Sequence, residues 1–318
     1  MVHAEIVFIV GPTAVGKTDV AVSLAHSLKG EIVNADAMQI YREVSILNNK
    51  PDAVLMRAVP HHLFGILSVR ETFDVAAYNQ IALKTIAGIR KRKRLPIVVG
   101  GSGLYVRVLL DGIFDQPAGD PGLRRRMEHQ ADQDGPETLH RRLQEVDPDA
   151  AARIHARDTR RIVRALEVFE ARHQPISRLQ QGHSGLWGRH DLFFYGLKLA
   201  RPELIRRIDL RVEQMFAAGA VVEVRRLAGM PLSRTARGMI GIQEIQGYLA
   251  GEYDLMQAME LIKIHTRQYA KRQMTWFRKE KRLRWVTLDP KKGSDEVVAG
   301  MAGEIRERAK PSGPAREG

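Results

Sequence analysis

The sequence predicts an α/β fold in which a parallel sheet is wrapped by helices, with a small all-helical insertion. Over the first hundred residues, apolar runs that are typical of strands (EIVFIV, EIVNAD and LPIVVGG) alternate with amphipathic stretches, including one helix from about Phe73 to Arg92. Such alternation is expected of parallel strands connected by helices. From about Gln116, turn formers and charged residues replace this pattern, which indicates a separate helical segment.

The first strand, loop and helix surround the segment GPTAVGKT, residues 11–18. The segment matches G-x-x-x-x-G-K-[ST], in which backbone N–H groups at a helix N-terminus converge on anionic oxygens. We therefore predict a P-loop NTPase-like core that binds phosphate. Lys17 would contact an outer phosphate and the Thr18 hydroxyl would bind Mg²⁺. The alternative is an incidental glycine-bearing turn between a strand and a helix.

The later elements divide the chain. Residues 144–173 look wholly helical, and the segment QQGHSGLWGRHD reads as a linker. DLFFYGLKL resumes strand character, and RWVTLD would add a last short strand. We predict a catalytic core of residues 1–115 and 191–290, a helical insertion of residues 116–190, and a tail of residues 291–318 that is partly disordered.

The composition and net charge of the chain limit the classes of function that it can have. The chain has 318 residues, no cysteine and a formal net charge of +13 at pH 7. The lack of cysteine excludes disulfides, thiolate zinc sites and thiol nucleophiles. No run is long and apolar enough to span a bilayer and no secretion signal is evident, so we expect a cytoplasmic, monomeric protein. The positive charge favours nucleic acid as partner, then acidic lipid, unless it only reflects coding bias.

The strand ends carry the candidate chemistry. LPIVVGG ends in Gly100, Gly101 and Ser102, not in the carboxylate with which P-loop kinases and hydrolases usually hold Mg²⁺. This departure favours close approach of a substrate to the backbone. Asp36, in IVNADAMQIY, does follow a strand, where parallel sheets bind ligands. It can act as a general base, and the alternative is a cap for a following helix.

Three basic segments suggest anion binding. Arg207 and Arg211 lie four residues apart on one helix face and could clamp a diphosphate, or form a solvated stripe. HTRQYAKRQMTWFRKEKRLRW, residues 265–285, interleaves cations with four aromatic residues, some of which we expect in the core. RDTRRIVRALEVFEARHQP carries four arginines on successive helix turns, and their repulsion favours an anionic partner such as an RNA backbone. His61 and His62 lack metal-ligand spacing, so we interpret them as packing or hydrogen-bonding residues.

Together these segments resemble the tRNA dimethylallyltransferase family, which prenylates an adenosine next to the anticodon. The resemblance rests on GPTAVGKT, NADAMQIYRE, VPHHL, VVGGSGLYVRVLLDG, RRIVRALEVF, GMIGIQEI and TRQYAKRQMTWFR, in that order between residues 11 and 278. It implies that the loop holds the diphosphate of dimethylallyl diphosphate rather than the tail of ATP. It also implies Mg²⁺ as cofactor and the tRNA anticodon stem-loop as partner, with no membrane or obligate protein partner.

The resemblance implies specific roles for matching residues. Asp36 would take a proton from the adenine N6 amine, with Ser102, Lys17 and Arg211 completing the catalytic set. The prenyl donor would lie on Gly11, Pro12, Thr13, Ala14, Val15, Gly16, Lys17, Thr18 and Arg207. The tRNA would contact Asp36, Ala37, Met38, Gln39, Arg124, Arg160, Arg161, Ile162, Val163, Arg164, Arg237, Gly238, Met239, Ile240, Gly241, Ile242, Lys271, Arg272, Gln273, Met274, Thr275, Trp276, Phe277 and Arg278.

The sequence departs from the family pattern in a few places. SILNNKP, residues 45–51, stands where a segment nearer GTAKP is expected, Gly65 replaces an acid, Ser102 a threonine, and Ile242 an aromatic. Three rival functions remain: a small-molecule kinase or other nucleotide-dependent P-loop enzyme, a prenyltransferase that acts on free adenine nucleotides, and a nucleic-acid-binding protein with a dead site. The intact Lys17, Thr18 and Asp36 speak against the last of these.

Overall fold

A computed structural model describes residues 6–113, 120–181 and 185–308 of the chain. The chain forms two compact units, one of Met1–Leu109 with Trp187–Gly318 and the other of Leu110–Leu186. The second unit overlaps the insertion expected over residues 116–190, with each boundary a few residues earlier.

The first unit contains a six-stranded sheet in the order β3-β2-β4-β1-β5-β6, and all its strand pairs are parallel. The strands are β1 Ile6–Val10, β2 Gly30–Asn34, β3 His61–His62, β4 Leu95–Gly100, β5 Leu192–Lys198 and β6 Arg284–Thr287. Every residue of β1, β2 and β4 is buried, as expected for parallel strands covered on both faces. The predicted parallel α/β fold is confirmed.

Among the described residues, ten helices belong wholly or mostly to the first unit. They are α1 Lys17–Leu28, α2 Ala53–Ala58, α3 Val75–Lys91, α4 Gly103–Asp111, α10 Arg201–Ala217, α11 Ala220–Arg226, α12 Arg234–Arg237, α13 Ile242–Leu249, α14 Leu255–Arg278 and α15 Asp295–Arg308. The helix expected over residues 73–92 is therefore present as α3.

Within the segment predicted as a partly disordered tail, residues 291–318, residues 295–308 form α15. Val298, Met301 and Ile305 of α15 are buried in the core that also contains α1 and the sheet. Two glycines interrupt the helical pattern of α15 in the sequence. The burial of its apolar side chains nevertheless stabilises the helix. Residues 309–318 lie outside the described residues.

The second unit is helical. Its helices are α5 Pro121–Asp134, α6 Pro136–Val146, α7 Pro148–Arg153, α8 Thr159–Arg172 and α9 Ile176–Leu179. Leu139, Leu143 and Ile162, each fully buried, form the centre of its core. The single helix expected over residues 144–173 is wrong. Pro148 begins α7 at a position where a missing N–H does no harm, and Asp147 and Asp158 cap α7 and α8.

Across the described residues, none of the helices combines the length and the apolar character that a membrane span requires.

Candidate active site

The loop between β1 and α1 has the backbone of a phosphate cradle. Gly11 and Gly16 have φ values of +148° and +99°, and a Cβ on Gly11 would lie 2.6 Å from the Leu197 carbonyl oxygen. Gly16 is the N-cap of α1 and offers no side-chain acceptor, so the first N–H groups of the helix are available to an anion. This geometry agrees with phosphate binding and not with an incidental turn.

The Lys17 ammonium group lies over this loop. Its Nζ donates to the carbonyl oxygens of Gly11 and Pro12, at 3.0 and 2.7 Å. Burial lowers the pKa of Lys17 to about 8, although attraction to Asp36 opposes the shift. The contacts with the two carbonyl groups hold the Lys17 ammonium beside the place where an outer phosphate would bind. The Asp36 carboxylate lies close enough to attract this ammonium.

Arg211 and Arg207, both on α10, differ in their placement. Arg211 Nη1 donates to Thr13 Oγ1 at 3.2 Å, and burial lowers the pKa of this guanidinium. Arg207 Nε instead donates to Glu203 Oε1 at 2.8 Å. Of the predicted pair, only Arg211 lines the cavity described below.

Asp36 follows β2 in an irregular segment that is held from several sides. Its N–H donates to Asn34 Oδ1 at 2.9 Å, and Asn34 Nδ2 donates back to the Asp36 carbonyl at 3.0 Å. Asp36 Oδ1 accepts from Met38 N–H at 2.9 Å, so the carboxylate caps a tight turn. The first helix after Asp36 is α2, which begins at Ala53, so Asp36 does not cap a following helix.

The Ser102 hydroxyl braces the same segment. Its Oγ accepts from the Ala37 N–H at 2.9 Å, while the Ser102 N–H donates to the Ala35 carbonyl at 3.2 Å. Ser102 is not among the residues that line the cavity. Its position therefore supports Asp36 and Ala37 through the backbone.

The glycines at the end of β4 serve close packing within the protein. A Cβ on Gly100 would lie 2.1 Å from the Ala35 carbonyl oxygen, one on Gly101 2.1 Å from Gln273 Nε2, and one on Gly103 2.3 Å from the Trp276 ring. This packing accounts for the glycines without a substrate, but Gly100 also lines the cavity described below, so close approach of a substrate to this strand end stays a prediction. The neighbours are the end of β2 and the helix α14.

One cavity of about 350 Å³ joins the loop to Asp36. Asp36 and Arg211 line it together with five of the predicted donor-binding residues: Thr13, Ala14, Gly16, Lys17 and Thr18. Gly11, Pro12 and Val15 do not line the cavity, and the Val15 side chain is fully buried in the core. A cation, a carboxylate and a phosphate cradle thus line the same cavity.

The divergent segment at residues 45–51 forms another wall of this cavity through Asn48, Asn49 and Lys50. The buried Glu223 carboxylate accepts from the N–H groups of residues 45, 46 and 47 at 2.7–2.9 Å. Asn48 Nδ2 donates to the Met38 carbonyl at 3.0 Å. No local pattern points to a role for Glu223, which lies 176 residues or more along the chain from its partners.

His61 and His62 have structural contacts, as the sequence predicted. His61 Nδ1 lies 2.8 Å from the Val59 carbonyl oxygen, and His62 Nε2 lies 2.7 Å from Glu31 Oε2. Within the described residues, no three His, Asp or Glu side chains come together as a metal site.

The residues predicted to contact tRNA fall into exposed and buried groups. The exposed ones supply cations and polar groups: Arg160, Arg161, Arg237, Gly238, Lys271, Arg272, Thr275 and Arg278. The partly exposed ones are Asp36, Ala37, Met38, Gln39, Arg124, Arg164, Ile240, Met274 and Trp276. The buried ones are Ile162, Val163, Met239, Gly241, Ile242, Gln273 and Phe277. The buried side chains of this group pack in the protein interior, and Gln273 bonds to two loops, so a tRNA contact at these positions stays a prediction.

Arg124 has a structural partner in the second unit. Its guanidinium donates to both carboxylate oxygens of Glu167, at 3.0 and 2.7 Å, and Glu167 is 3% exposed. The neighbouring Arg164 also reaches Glu167, at 3.4 Å. The need to neutralise this buried carboxylate explains the presence of Arg124 without an RNA contact. Arg160 and Arg161, by contrast, are exposed on α8.

The donor set suits a magnesium ion that is bound largely through a diphosphate. Thr18 lines the cavity at the start of α1, and Asp19 follows it there. Mg²⁺ usually keeps several waters and takes phosphate oxygens with one or two protein ligands, so a single hydroxyl with a nearby carboxylate is enough.

Comparisons with known proteins identify the family of the chain. The chain matches the family model "IPP transferase" over residues 39–280. It is 47% identical to the tRNA dimethylallyltransferase of Geobacter metallireducens over 301 residues, which cover 94% of this chain and 97% of that protein. It is 46% identical over 284 residues to tRNA dimethylallyltransferase 1 of Citrifermentans bemidjiense, covering 89% of this chain and 92% of that protein.

Solved structures give the same result. The crystal structure of the full-length tRNA isopentenylpyrophosphate transferase from Bacillus halodurans has a TM-score of 0.69 and 37% identity, covering 95% of this chain and 97% of that one. A eukaryotic dimethylallyltransferase shares the fold, with a TM-score of 0.78 and 24% identity over 98% of this chain and 81% of that one. With relatives this similar over nearly the whole chain, and a family model that spans most of it, the chain belongs to the IPP transferase family.

Proposed function

We propose that the protein transfers a dimethylallyl group from dimethylallyl diphosphate to the N6 amine of the adenosine on the 3′ side of the anticodon, in tRNAs that read codons beginning with U. Diphosphate is released. The observation that carries this proposal is the single cavity that joins the phosphate cradle, with Lys17, to the carboxylate of Asp36. A diphosphate leaving group and an amine that must lose a proton need these two features side by side.

The proposed chemistry divides between the two ends of the cavity. An exocyclic amine is a poor nucleophile, so Asp36 accepts its proton as the bond from N6 to the allylic carbon forms and the bond from that carbon to oxygen breaks. Negative charge then grows on the departing diphosphate. The N–H groups of the loop, Lys17 and Arg211 stabilise that charge. Asn34, Met38 and Ser102 hold Asp36 and its segment in place.

Mg²⁺ completes the proposal. Thr18 would hold the ion by its hydroxyl, and the ion would neutralise charge on the diphosphate.

To enter the cavity, the adenine of the tRNA must leave its stack, which costs roughly a few kcal/mol and is offset by contacts in the pocket. We propose the cytoplasm as the location because the proposed substrate is tRNA and the compared relatives are bacterial tRNA-modifying enzymes.

The direct test is to incubate the protein with Mg²⁺, tRNA transcripts and dimethylallyl diphosphate and to analyse the digested RNA by mass spectrometry. We expect a five-carbon addition to one adenosine, which an anticodon-loop transcript with that adenosine changed to guanosine does not acquire. Parallel reactions with ATP and with free adenosine monophosphate test the rival functions. Phosphate release from ATP, or prenylation of the free nucleotide in place of tRNA, would contradict the proposal.

Affinity for tRNA is expected to fall steeply with salt. Each phosphate contact contributes a slope of about 0.7–0.9 in log affinity against log salt concentration. Replacing both Arg160 and Arg161 by alanine should therefore reduce the slope by about 1.5, because these two exposed arginines lie where an RNA backbone would neutralise them. Filter binding or fluorescence anisotropy at several salt concentrations measures this slope.

Arg124→Gln provides the contrast on the same unit. Removing this guanidinium leaves the buried Glu167 with less compensation, so we expect a loss of roughly 2 kcal/mol in stability by thermal unfolding. The salt slope of the Arg124→Gln variant should stay close to that of the wild type at temperatures where the variant is folded.

An unchanged salt slope in the variant that replaces both Arg160 and Arg161 by alanine would indicate that these two arginines form a solvated face.

A further inference from the structure

Gln273 is a buried side chain that joins α14 to the phosphate loop. Its Oε1 accepts from the Thr13 N–H at 2.8 Å, and its Nε2 donates to the Gly101 carbonyl at 3.0 Å. The side chain is 5% exposed. It therefore spans the ends of β1 and β4 from a helix that is 260 residues away from Thr13 in the sequence.

Thr13 is held from two directions. Gln273 binds its backbone N–H, and Arg211 donates to its side-chain oxygen. The next residue, Ala14, has a φ of +63°, a left-handed conformation that costs a residue with a Cβ about 1 kcal/mol or more. Such a conformation persists only where neighbouring groups fix it. Gln273 and Arg211 are the contacts that fix it on the Thr13 side.

The same helix carries the exposed cations of the predicted RNA surface. Lys271 and Arg272 precede Gln273 and Arg278 follows it, and all three are exposed. Gly101 has no side chain at the point of contact, because a Cβ there would lie 2.1 Å from Gln273 Nε2. The glycine and the glutamine thus form one packed and hydrogen-bonded contact between α14 and the site.

We propose that Gln273 is a positioning residue for the phosphate loop and makes no contact with RNA. It fixes the conformation of Thr13 and Ala14 that binds the diphosphate, and it ties that loop to the helix that carries the basic surface. This inference rests on the proposed function for the identity of the donor, but its central claim concerns the binding of a diphosphate by the loop. Resemblance alone would have made Gln273 a tRNA contact.

The test compares Gln273→Met with Lys271→Ala. Methionine matches glutamine in length but removes both hydrogen bonds, while Lys271→Ala removes an exposed cation two residues away. Binding of inorganic diphosphate with Mg²⁺ is measured by calorimetry, and binding of tRNA by anisotropy. We expect Gln273→Met to weaken diphosphate about tenfold and to change tRNA affinity by less than twofold. Lys271→Ala should weaken tRNA binding and leave diphosphate binding unchanged.

Three further variants guard against a simple loss of folding. Gly101→Ala pushes the Gln273 side chain away from the opposite side and should reproduce the loss of diphosphate affinity. The double variant Gly101→Ala with Gln273→Met should lose no more than the worse single variant, because both act through one contact. Gln273→Glu keeps the acceptor for Thr13 N–H and should retain part of the affinity. Thermal unfolding establishes that each variant is folded.

The outcomes separate this inference from the proposed function. Weaker tRNA binding with normal diphosphate binding in Gln273→Met would make Gln273 an RNA contact and overturn the inference, and normal binding of both would overturn it as well. If wild-type protein binds diphosphate but transfers no prenyl group, the proposed function fails while a loss of diphosphate binding in Gln273→Met still supports the positioning role.

Discussion

Asp36→Asn is expected to lower kcat by about 100-fold or more and to leave the affinities for tRNA and dimethylallyl diphosphate largely unchanged, since the variant loses only the general base. Asparagine retains the side-chain oxygen that accepts from the Met38 N–H, so the turn after β2 should persist. It cannot accept a proton from the adenine amine. Single-turnover measurements with saturating tRNA and donor would isolate the chemical step.

Asp74→Asn is the matched control for this experiment. Asp74 Oδ1 accepts from the Ala77 N–H at 2.8 Å as the N-cap of α3, and Asp74 does not line the cavity. The control makes the same chemical change at a carboxylate that only caps, and we expect near-normal turnover. Turnover near that of the wild type in Asp36→Asn would assign Asp36 a capping role alone and remove the base from the proposed mechanism.

Much of the core was predictable because its signals are local. The spacing of glycines, lysine and threonine in residues 11–18 sets the loop, and the apolar runs beside it set β1 and α1. Asp36 could be placed near the loop because the carboxyl ends of parallel strands meet at one edge of a sheet. These inferences needed only patterns within about 20 residues and one rule of topology.

The rest depended on contacts between distant residues. Nothing near Gln273 in the sequence reveals that its amide reaches Thr13, and basic neighbours on both sides favoured an RNA contact instead. The glycines after β4 are explained by Ala35, Gln273 and Trp276, of which two lie on α14. A pattern of residue types identifies which positions lack a side chain, but only the fold identifies what occupies the space.

Lys17→Met is expected to lower kcat/KM for the donor by roughly 100- to 1000-fold, the usual effect of removing one preorganised group that stabilises charge in a transition state. Wild-type kcat/KM should also decline above about pH 8, where the buried ammonium of the free enzyme loses its proton. Bound diphosphate favours the charged form, so kcat should hold to higher pH than kcat/KM. Steady-state rates from pH 6.5 to 9.5 would measure both.

The pH dependence of the free energy of unfolding provides an independent test of the lowered pKa of Lys17. Because its pKa falls from 10.5 in the unfolded chain to about 8 in the folded protein, the unfolded chain binds the extra proton between these values. The free energy of unfolding of the wild type should therefore rise with pH across that window, by about 1–2 kcal/mol after allowance for partial exposure. Lys17→Met should lack this rise and should gain stability near pH 7, where the wild type bears the full cost of the buried charge.

The exposed Lys84 on α3 supplies a control of equal charge change. Lys84→Met should keep the wild-type rise in unfolding free energy above pH 8 and keep normal activity, as measured by denaturant unfolding at a series of pH values. If Lys17→Met retained that rise, the titrating group would lie elsewhere in the protein. If it lost the rise but kept its activity, the cation would be a strained structural residue and the diphosphate would be held by the loop N–H groups and Arg211 alone. If Lys17→Met lost both the rise in unfolding free energy and the activity, the group that lowers stability would be the group that catalysis needs. A cation that opposes folding is retained where function requires its charge.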